Sequence, residues 1–360
     1  MIKLLVVDDS PLMRRLLTEI FTQAGDFAIE TARSAAEALE KLDDVAPDVV
    51  TLDINMPGMD GLACLDRIMI QRPCPVVMVS SMTAAGADET LEAMALGAVD
   101  FIAKPRGAVS LEIDALAPAL VEKVRAAAKA RISRTLRLRE RVRAQAAGAA
   151  RKPPARPRQR LEAVPVRSAA TGAVLVGCST GGPPALDALL ADLPGDFPWP
   201  VVVAQHMPAT FTGPLARRLD KLCALTVTEV VSTTPLAPGH VYIGRGDGDI
   251  VLSKRGGTVV AMAAPSSVAH FWHPSVDRLV ESAMRVLVPN SLIGVLMTGM
   301  GADGAAAMNE LHAQGGYTIA ESAETAVVWG MPGALVALGG ASSVRPLEQI
   351  GGTLMALAGR

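Results

Sequence analysis

Aromatic residues make up only 3 % of this 360-residue sequence. That is too few to stack successive bases, which argues against a single-strand nucleic-acid binder. Cysteine is also scarce. The four cysteines, Cys64, Cys74, Cys178 and Cys223, show no Cys-x-x-Cys pairing, against a zinc site or a disulfide framework. No apolar run approaches the ~18–20 residues that cross a membrane. The apolar start is cut short at Asp8 and Asp9, too early for a secretory leader. These shortages describe a soluble, cytoplasmic protein whose cores are built from Ala, Val, Leu, Ile and Met. Half the residues are hydrophobic, enough at this length for two domains and too many for a disordered chain.

Charge is low overall, 19 % of residues and a net −2, but unevenly spread. Between Lys123 and Arg167 stand fifteen Lys and Arg against two acids, Glu140 and Glu162. The rest of the chain is therefore acidic. The run RKPPARPRQR (151–160) combines helix-breaking prolines with mutually repelling arginines, which predicts an exposed linker over about 148–170. A solvated bridge between two acidic bodies is the plainer reading, with acidic lipid or nucleic acid as alternative partners. The expected division is a first domain over 1–122, a helical extension and Arg/Pro-rich linker over 123–170, and a second domain over 171–360.

In the first domain, short apolar runs at 4–7, 27–31, 48–53, 76–80 and 100–103 alternate with amphipathic stretches at 11–23, 35–43, 61–71 and 86–96. Such alternation predicts a parallel sheet covered on both faces. Ligands of open parallel sheets sit beyond the carboxyl ends of the strands. Five polar residues fall there: Asp8 and Asp9 after the first run, Asp53 closing DVVTLD, Ser80 closing VVMVS, and Lys104 past DFIA. One acid at a strand end is commonly a cap or turn residue. Three together repel unless a hard cation holds them, and magnesium bridging carboxylate and phosphoryl oxygens suits phosphoryl transfer.

The second domain resumes the alternation with AVLVG (173–177), VVVAQ (201–205) and 292–297, and with helical patterns at 184–191, 276–287, 302–314 and 347–358. GCSTGG (177–182) lies between a strand and a helix and fits G-x-S-x-G, exposing Ser179 on a sharp turn. On this segment alone a phosphate-binding turn is the stronger reading. A serine nucleophile needs a base, and His206 follows VVVAQ at a second strand end. Asp303, in MGADG after a third strand, is either the N-cap of its own helix or the carboxylate that orients His206. His270 and His273 in HFWHPSVD have metal-like spacing but no evident third ligand, which favours a structural or pocket-wall role.

The motifs VVDDS, LDINMPGMDG, VSS and KP resemble the receiver domain of two-component response regulators. GCSTGG, AQHMP, HPSVD, LMTGMGADG and VVWGMP, in that order, resemble the catalytic domain of the CheB-type chemotaxis protein-glutamate methylesterases. The fold class this implies is α/β, with two doubly wound parallel-sheet domains, one flavodoxin-like and one Rossmann-like. The resemblance implies Asp53 as phosphoacceptor; Asp8, Asp9 and Asp53 as magnesium ligands; and Ser80 and Lys104 as switch hydroxyl and phosphate sensor. It further implies Ser179 as nucleophile, His206 as base and acid, Asp303 as orienting carboxylate, and Thr180 and Met300 at the active-site wall or oxyanion hole. The implied activity is phosphorylation-activated demethylation of glutamate methyl esters and deamidation of glutamines in methyl-accepting chemotaxis receptors. A CheA-type histidine kinase would be the phosphodonor. The esterase chemistry would need no cofactor, and the chain would be monomeric, neither membrane-embedded nor bound to nucleic acid.

Two places depart from the family pattern. Glu321-Ser322-Ala323 stands where QDE or QNE is common, and Gly244-Arg245-Gly246 where Ala-Pro-Gly is usual; both bear on the pocket wall. Two rival readings remain. A nucleotide-holding module would bind nucleotide through GCSTGG, and a receiver-linked transcription factor would bind DNA in a salt-dependent way.

Overall fold

A computed structural model of the chain describes residues 1–81, 83–104, 110–131 and 172–359. The linker expected at 148–170 and the end of the helical extension lie outside the described residues. The first domain is β1 (Ile2–Val7), α1 (Pro11–Ala24), β2 (Phe27–Ala32), α2 (Ala35–Val45), β3 (Val49–Asp53), α3 (Gly61–Gln71), β4 (Val76–Ser80), α4 (Ala84–Leu96), β5 (Asp100–Ala103) and α5 (Ser110–Ala127). Each start is chemically marked: Ser10, Ser34, Asp60 and Thr83 accept backbone N–H bonds as N-caps of α1 to α4. The parallel sheet runs β2-β1-β3-β4-β5, the flavodoxin-like order, which gathers the carboxyl ends of β1, β3, β4 and β5 on one edge. α5 continues to Ala127, into the stretch expected as a helical extension.

The second domain comprises β6 (Ala173–Cys178), α6 (Gly182–Ala191), β7 (Val201–Gln205), α7 (Ala209–Leu222), β8 (Thr226–Val230), β9 (Thr234–Pro235), β10 (His240–Gly244), β11 (Gly248–Arg255), β12 (Thr258–Pro265), α8 (Val276–Val286), β13 (Leu292–Leu296), α9 (Ala305–Ala313), β14 (Tyr317–Glu321), α10 (Met331–Ala337), β15 (Ser343–Arg345) and α11 (Leu347–Ala358). Its seven-stranded parallel sheet is ordered β15-β14-β13-β6-β7-β10-β8. From β6 the chain first builds outward through β7, then returns to β13 on the other side. The crevice of such a sheet lies at that reversal, above the carboxyl ends of β6 and β13.

The structure adds elements that periodicity did not anticipate. α7 carries Gly213 and Pro214, which read as breakers, yet Phe211, Leu215 and Leu219 bury one face and hold the helix. Residues 250–252 are part of an antiparallel hairpin, β11 with β12, which β9 extends into a small third sheet. Its loop is Gly256-Gly257, both at positive φ, the two-residue turn that glycines permit. β14, α10 and β15 were not anticipated, and the helix expected from 302 begins at Ala305.

The two domains share buried apolar surface. One hydrophobic cluster includes Val50 and Met78 of the first sheet, Val174 and Val203 of the second, and Leu91 of α4 with Leu215 of α7. Phe101 of β5 meets Phe211 of α7 with ring centroids 4.4 Å apart. No helix among the described residues is long and apolar enough to cross a membrane.

Candidate active site

The end of β6 leads into Ser179, Thr180 and Gly181 before α6 begins. Gly181 adopts φ 77°, and a Cβ there would lie 2.7 Å from the Val327 Cβ, so only glycine fits this turn. Gly299 serves a second close approach: a Cβ at that position would come within 2.8 Å of the Ser179 Cβ. The turn is held from three sides. Ser179 N donates to Thr298 O (2.9 Å), Thr298 Oγ1 donates to Thr180 O (2.8 Å), and Gln205 Nε2 donates to Ser179 O (3.0 Å).

His206 leaves the next strand, β7, its N–H donating to Cys178 O at 3.0 Å. Its Nε2 lies 2.7 Å from Asp303 Oδ2. Its other nitrogen, Nδ1, is buried without a hydrogen-bond partner among the described residues. The ring stacks on Trp272, centroids 5.9 Å apart and planes 15° from parallel. A proton on Nε2, facing the carboxylate, is the tautomer that satisfies this contact, and it leaves the Nδ1 lone pair free.

Asp303 does not cap its own helix. α9 starts after Gly304 with no side-chain cap, and the Asp303 carboxylate instead sits at the N-terminus of α8. Oδ2 accepts from Val276 N at 2.7 Å, and Oδ1 accepts from Asp277 N at 3.2 Å and Ser275 Oγ at 3.0 Å. Burial alone would raise this carboxyl, but the His206 hydrogen bond and the two backbone donors outweigh it and hold Asp303 below the usual carboxylate range. An ionised carboxylate here is also favoured by the positive end of the helix.

The HFWHPSVD segment brings Trp272 to His206 and supplies the α8 N-terminus to Asp303. His273 Nδ1 lies 2.9 Å from the buried Asp249, which also binds Ser275 N (2.6 Å) and Arg278. His270 Nδ1 lies 3.2 Å from Ser275 Oγ. His270, Asp277 and Asp303 stand within metal-ligand range of one another, a grouping the 270/273 spacing did not suggest.

Thr180, in the Ser179 turn, and Met300, after Gly299, are 1 % and 6 % exposed. Among the described residues their backbone N–H groups make no hydrogen bond, leaving two donors at this edge. The Thr180 hydroxyl is taken by the other domain. It donates to Asp100 Oδ2, while Asp100 Oδ1 accepts from Lys123 Nζ at 2.9 Å and Phe101 N at 2.7 Å. Gly181 N donates to Val99 O at 3.1 Å. The first domain thus rests directly on the Ser179 turn, leaving Ser179 and His206 each 4 % exposed. A cavity of about 330 Å³ remains between Leu17 and Leu120 of the first domain and His206 and Trp272 of the second.

At the edge of the first sheet, Asp8 and Asp53 are buried and Asp9 is exposed. The three offer carboxylate oxygens within 4.8 Å of one another. The Lys104 ammonium lies 3.1 Å from Asp8 Oδ2 and 2.7 Å from Asp53 Oδ2. Burial pushes the Asp53 carboxyl up; Lys104 pulls it back, and the Asp8 charge adds to the rise. Three hard oxygen donors around two buried, mutually repelling carboxylates fit a magnesium ion. The Ser80 hydroxyl is not part of this group: it donates to Gly86 O (3.1 Å) and accepts from Thr90 Oγ1 (2.8 Å), both in α4.

Gln205, Thr298, Trp272 and Asp100 were not singled out from the sequence. The first three lie inside or beside the motifs that flagged the site, but their polar partners are distant in sequence. Asp100 belongs to the other domain, and only the docking of the two domains brings it here.

A flavodoxin-order domain with an acid cluster, docked on an α/β domain that presents serine, histidine and aspartate at neighbouring strand ends, defines a response regulator with a hydrolase as its output. Residues 4–113 match the response regulator receiver domain, and residues 174–354 match the CheB methylesterase family. The chain is 55 % identical over 356 residues to protein-glutamate methylesterase/protein-glutamine glutaminase 2 of Rhodopseudomonas palustris, covering 97 % of this chain and 96 % of that protein. It is 52 % identical to protein-glutamate methylesterase/protein-glutamine glutaminase 3 of Rhodospirillum rubrum, covering 100 % of this chain and 97 % of that one. Among solved structures, the Thermotoga maritima CheB methylesterase catalytic domain matches with TM-score 0.51 and 39 % identity over 53 % of this chain and all of that one. The chain belongs to the CheB family of protein-glutamate methylesterases/protein-glutamine glutaminases.

Proposed function

We propose that the chain is a phosphorylation-activated hydrolase that demethylates glutamate methyl esters and deamidates glutamines of chemotaxis receptors, with Ser179, His206 and Asp303 as its triad. The observation that carries the assignment is the His206 ring, tied at Nε2 to an ionised Asp303 and unpartnered at Nδ1 beside the Ser179 turn. Ser179 Oγ attacks the γ-carbonyl while Nδ1 takes its proton. The Thr180 and Met300 N–H groups receive the oxyanion, each such donor typically worth ~2.7–4 kcal/mol of barrier. His206 returns the proton to methanol or ammonia as it leaves. Water then hydrolyses the acyl-enzyme by the same route.

Residues 1–122 act as the phosphoacceptor domain and 171–360 as the hydrolase, with 123–170 between them. A CheA-type histidine kinase supplies the phosphoryl group to Asp53. Asp8, Asp9 and Asp53 would hold a magnesium ion, which would neutralise charge on the transferring group. Lys104 then binds a phosphoryl oxygen, and Ser80 rotates towards it, giving up its bonds to Gly86 and Thr90. Because α4 packs against α6 and α7, that loss loosens the docked state, a local charge event read out through a two-state interface.

Methanol release from a methylated receptor is expected to rise about tenfold with magnesium and a small-molecule phosphodonor, which corresponds to a bias of ~1.4 kcal/mol. Asp53→Asn removes the stimulation while basal release persists. Stimulation that survives Asp53→Asn rejects this phosphoacceptor. The docked state itself is tested at Asp100. Loss of a hydrogen bond to a charged group costs ~1.5–3 kcal/mol, so Asp100→Ala is expected to raise basal methanol release about tenfold without phosphodonor. An unchanged basal rate in a folded Asp100→Ala protein rejects the contact as a restraint.

A further inference from the structure

Glu321, the last residue of β14, is completely buried and takes no part in the triad. Its Oε2 accepts from Thr298 N at 2.8 Å, and its Oε1 accepts from Thr325 Oγ1 at 2.9 Å. Thr298 is the residue whose carbonyl accepts the Ser179 N–H and whose hydroxyl donates to Thr180 O. Thr325 Oγ1 in turn accepts from Leu347 N at the start of α11 (3.0 Å), and Trp329 Nε1 donates to Glu321 O (2.9 Å). One carboxyl group therefore ties the nucleophile turn, the 322–330 segment and α11 together from beneath the crevice.

We propose that Glu321 is a positioning residue for ester hydrolysis: through Thr298 its carboxylate fixes the backbone of Ser179 and Thr180. The inference rests on the reading of Ser179 as nucleophile. An ionised carboxylate accepts a backbone N–H more strongly and at shorter range than a protonated one, so the turn is held most firmly with Glu321 charged. Burial pushes this carboxyl up to about 7, against the pull of the Thr298 and Thr325 hydrogen bonds and with a small further push from Glu348. The carboxyl thus changes charge near neutral pH. The ionisable residues of the elements around it are Cys178 at the end of β6, Glu310 and His312 of α9, Arg345 of β15 and Glu348 of α11; β13 and α10 carry none. Arg345 pairs in register with Glu321 across β14 and β15, and His312 is turned to Ser342 Oγ at 3.0 Å. The Cys178 thiol, raised first by burial and then by the Glu321 charge, stays neutral.

The test is methanol release by the full-length unphosphorylated chain from pH 5.5 to 8.5, with wild type, Glu321→Gln and Glu321→Asp measured side by side. Any pH dependence of docking or of His206 cancels in the ratio of wild type to Glu321→Gln. That ratio is expected to rise 3- to 10-fold between pH 6 and pH 8, because the glutamine keeps both hydrogen bonds but cannot ionise. Glu321→Asp keeps the charge but is one methylene too short for Thr298, and is expected to lower kcat at least 10-fold with KM unmoved. Denaturant unfolding checks that the variants fold. A carboxyl raised by burial costs stability as pH rises through its pKa, so Glu321→Gln should be the more stable protein above pH 7. A ratio that is flat across pH, or a Glu321→Asp protein with wild-type kcat, overturns the proposal. Activity that survives in Ser179→Ala fails the nucleophile assignment instead.

Discussion

Ser179→Ala is expected to lower methanol release by roughly 10⁴–10⁶-fold, the scale at which a serine nucleophile is removed from a triad. What remains comes from the oxyanion donors and from binding alone. Stability should hardly change. The Ser179 side chain accounts for none of the contacts that hold the turn: those use its backbone N–H and carbonyl, bonded to Thr298 and Gln205. Unfolding by denaturant should therefore coincide with wild type within ~0.5 kcal/mol, as for substitutions that remove no buried partner. The measurement is methanol release from a methylated receptor with phosphodonor present, so that docking of the first domain does not limit either protein. An alanine variant that keeps more than about a hundredth of wild-type activity, far above the residual level such variants show, means that the ester is opened by another group.

Asp303→Asn is expected to cost both activity and stability. The carboxylate accepts four hydrogen bonds, two at each oxygen. Asparagine offers one oxygen and one NH₂, so whichever way it turns, a donor faces a donor. If the NH₂ faces His206, the proton is displaced to Nδ1 and the base is lost, which costs ~10³–10⁴ in kcat. If it faces Ser275 and Asp277 N, one α8 N–H goes unpaired at ~1–3 kcal/mol. The pH dependence has a definite sign. Because Asp303 is held below the usual carboxylate range, its stabilising contribution is fully present at neutral pH and is lost as pH falls through its lowered pKa. The gap in stability between wild type and Asp303→Asn should therefore close in acid. Methanol release and denaturant unfolding at neutral and acidic pH measure both effects. Wild-type activity in Asp303→Asn removes the aspartate from the triad; a stability gap that widens in acid reverses its assigned charge.

The residues of both sites were legible because parallel α/β sheets place function at strand ends, and strand ends are visible as the stops of apolar runs. Asp53 after VVTL and His206 after VVVAQ are read in this way. Asp303 was legible only as two alternatives, since a capping acid and an orienting acid look the same in sequence. The structure assigns it to the N-terminus of α8, 27 residues earlier in the chain than the aspartate itself. The α7 helix was not legible because Gly213 and Pro214 argue locally against what the burial of Phe211, Leu215 and Leu219 enforces.

By itself, then, the sequence determined the α/β alternation, the acid cluster after β1 and β3, and the placing of Ser179, His206 and Asp303 at strand ends. Each is encoded within a few residues, by apolar period, by glycine at a turn or by a polar stop. Only the tertiary structure decided which nitrogen of His206 faces Asp303, that Ser80 is turned into α4, that Glu321 lies under the Ser179 turn, and that Asp100 of one domain holds Thr180 of the other. These depend on contacts between residues 6 to 97 positions apart, whose directions follow from strand order and packing and leave no periodic trace along the chain.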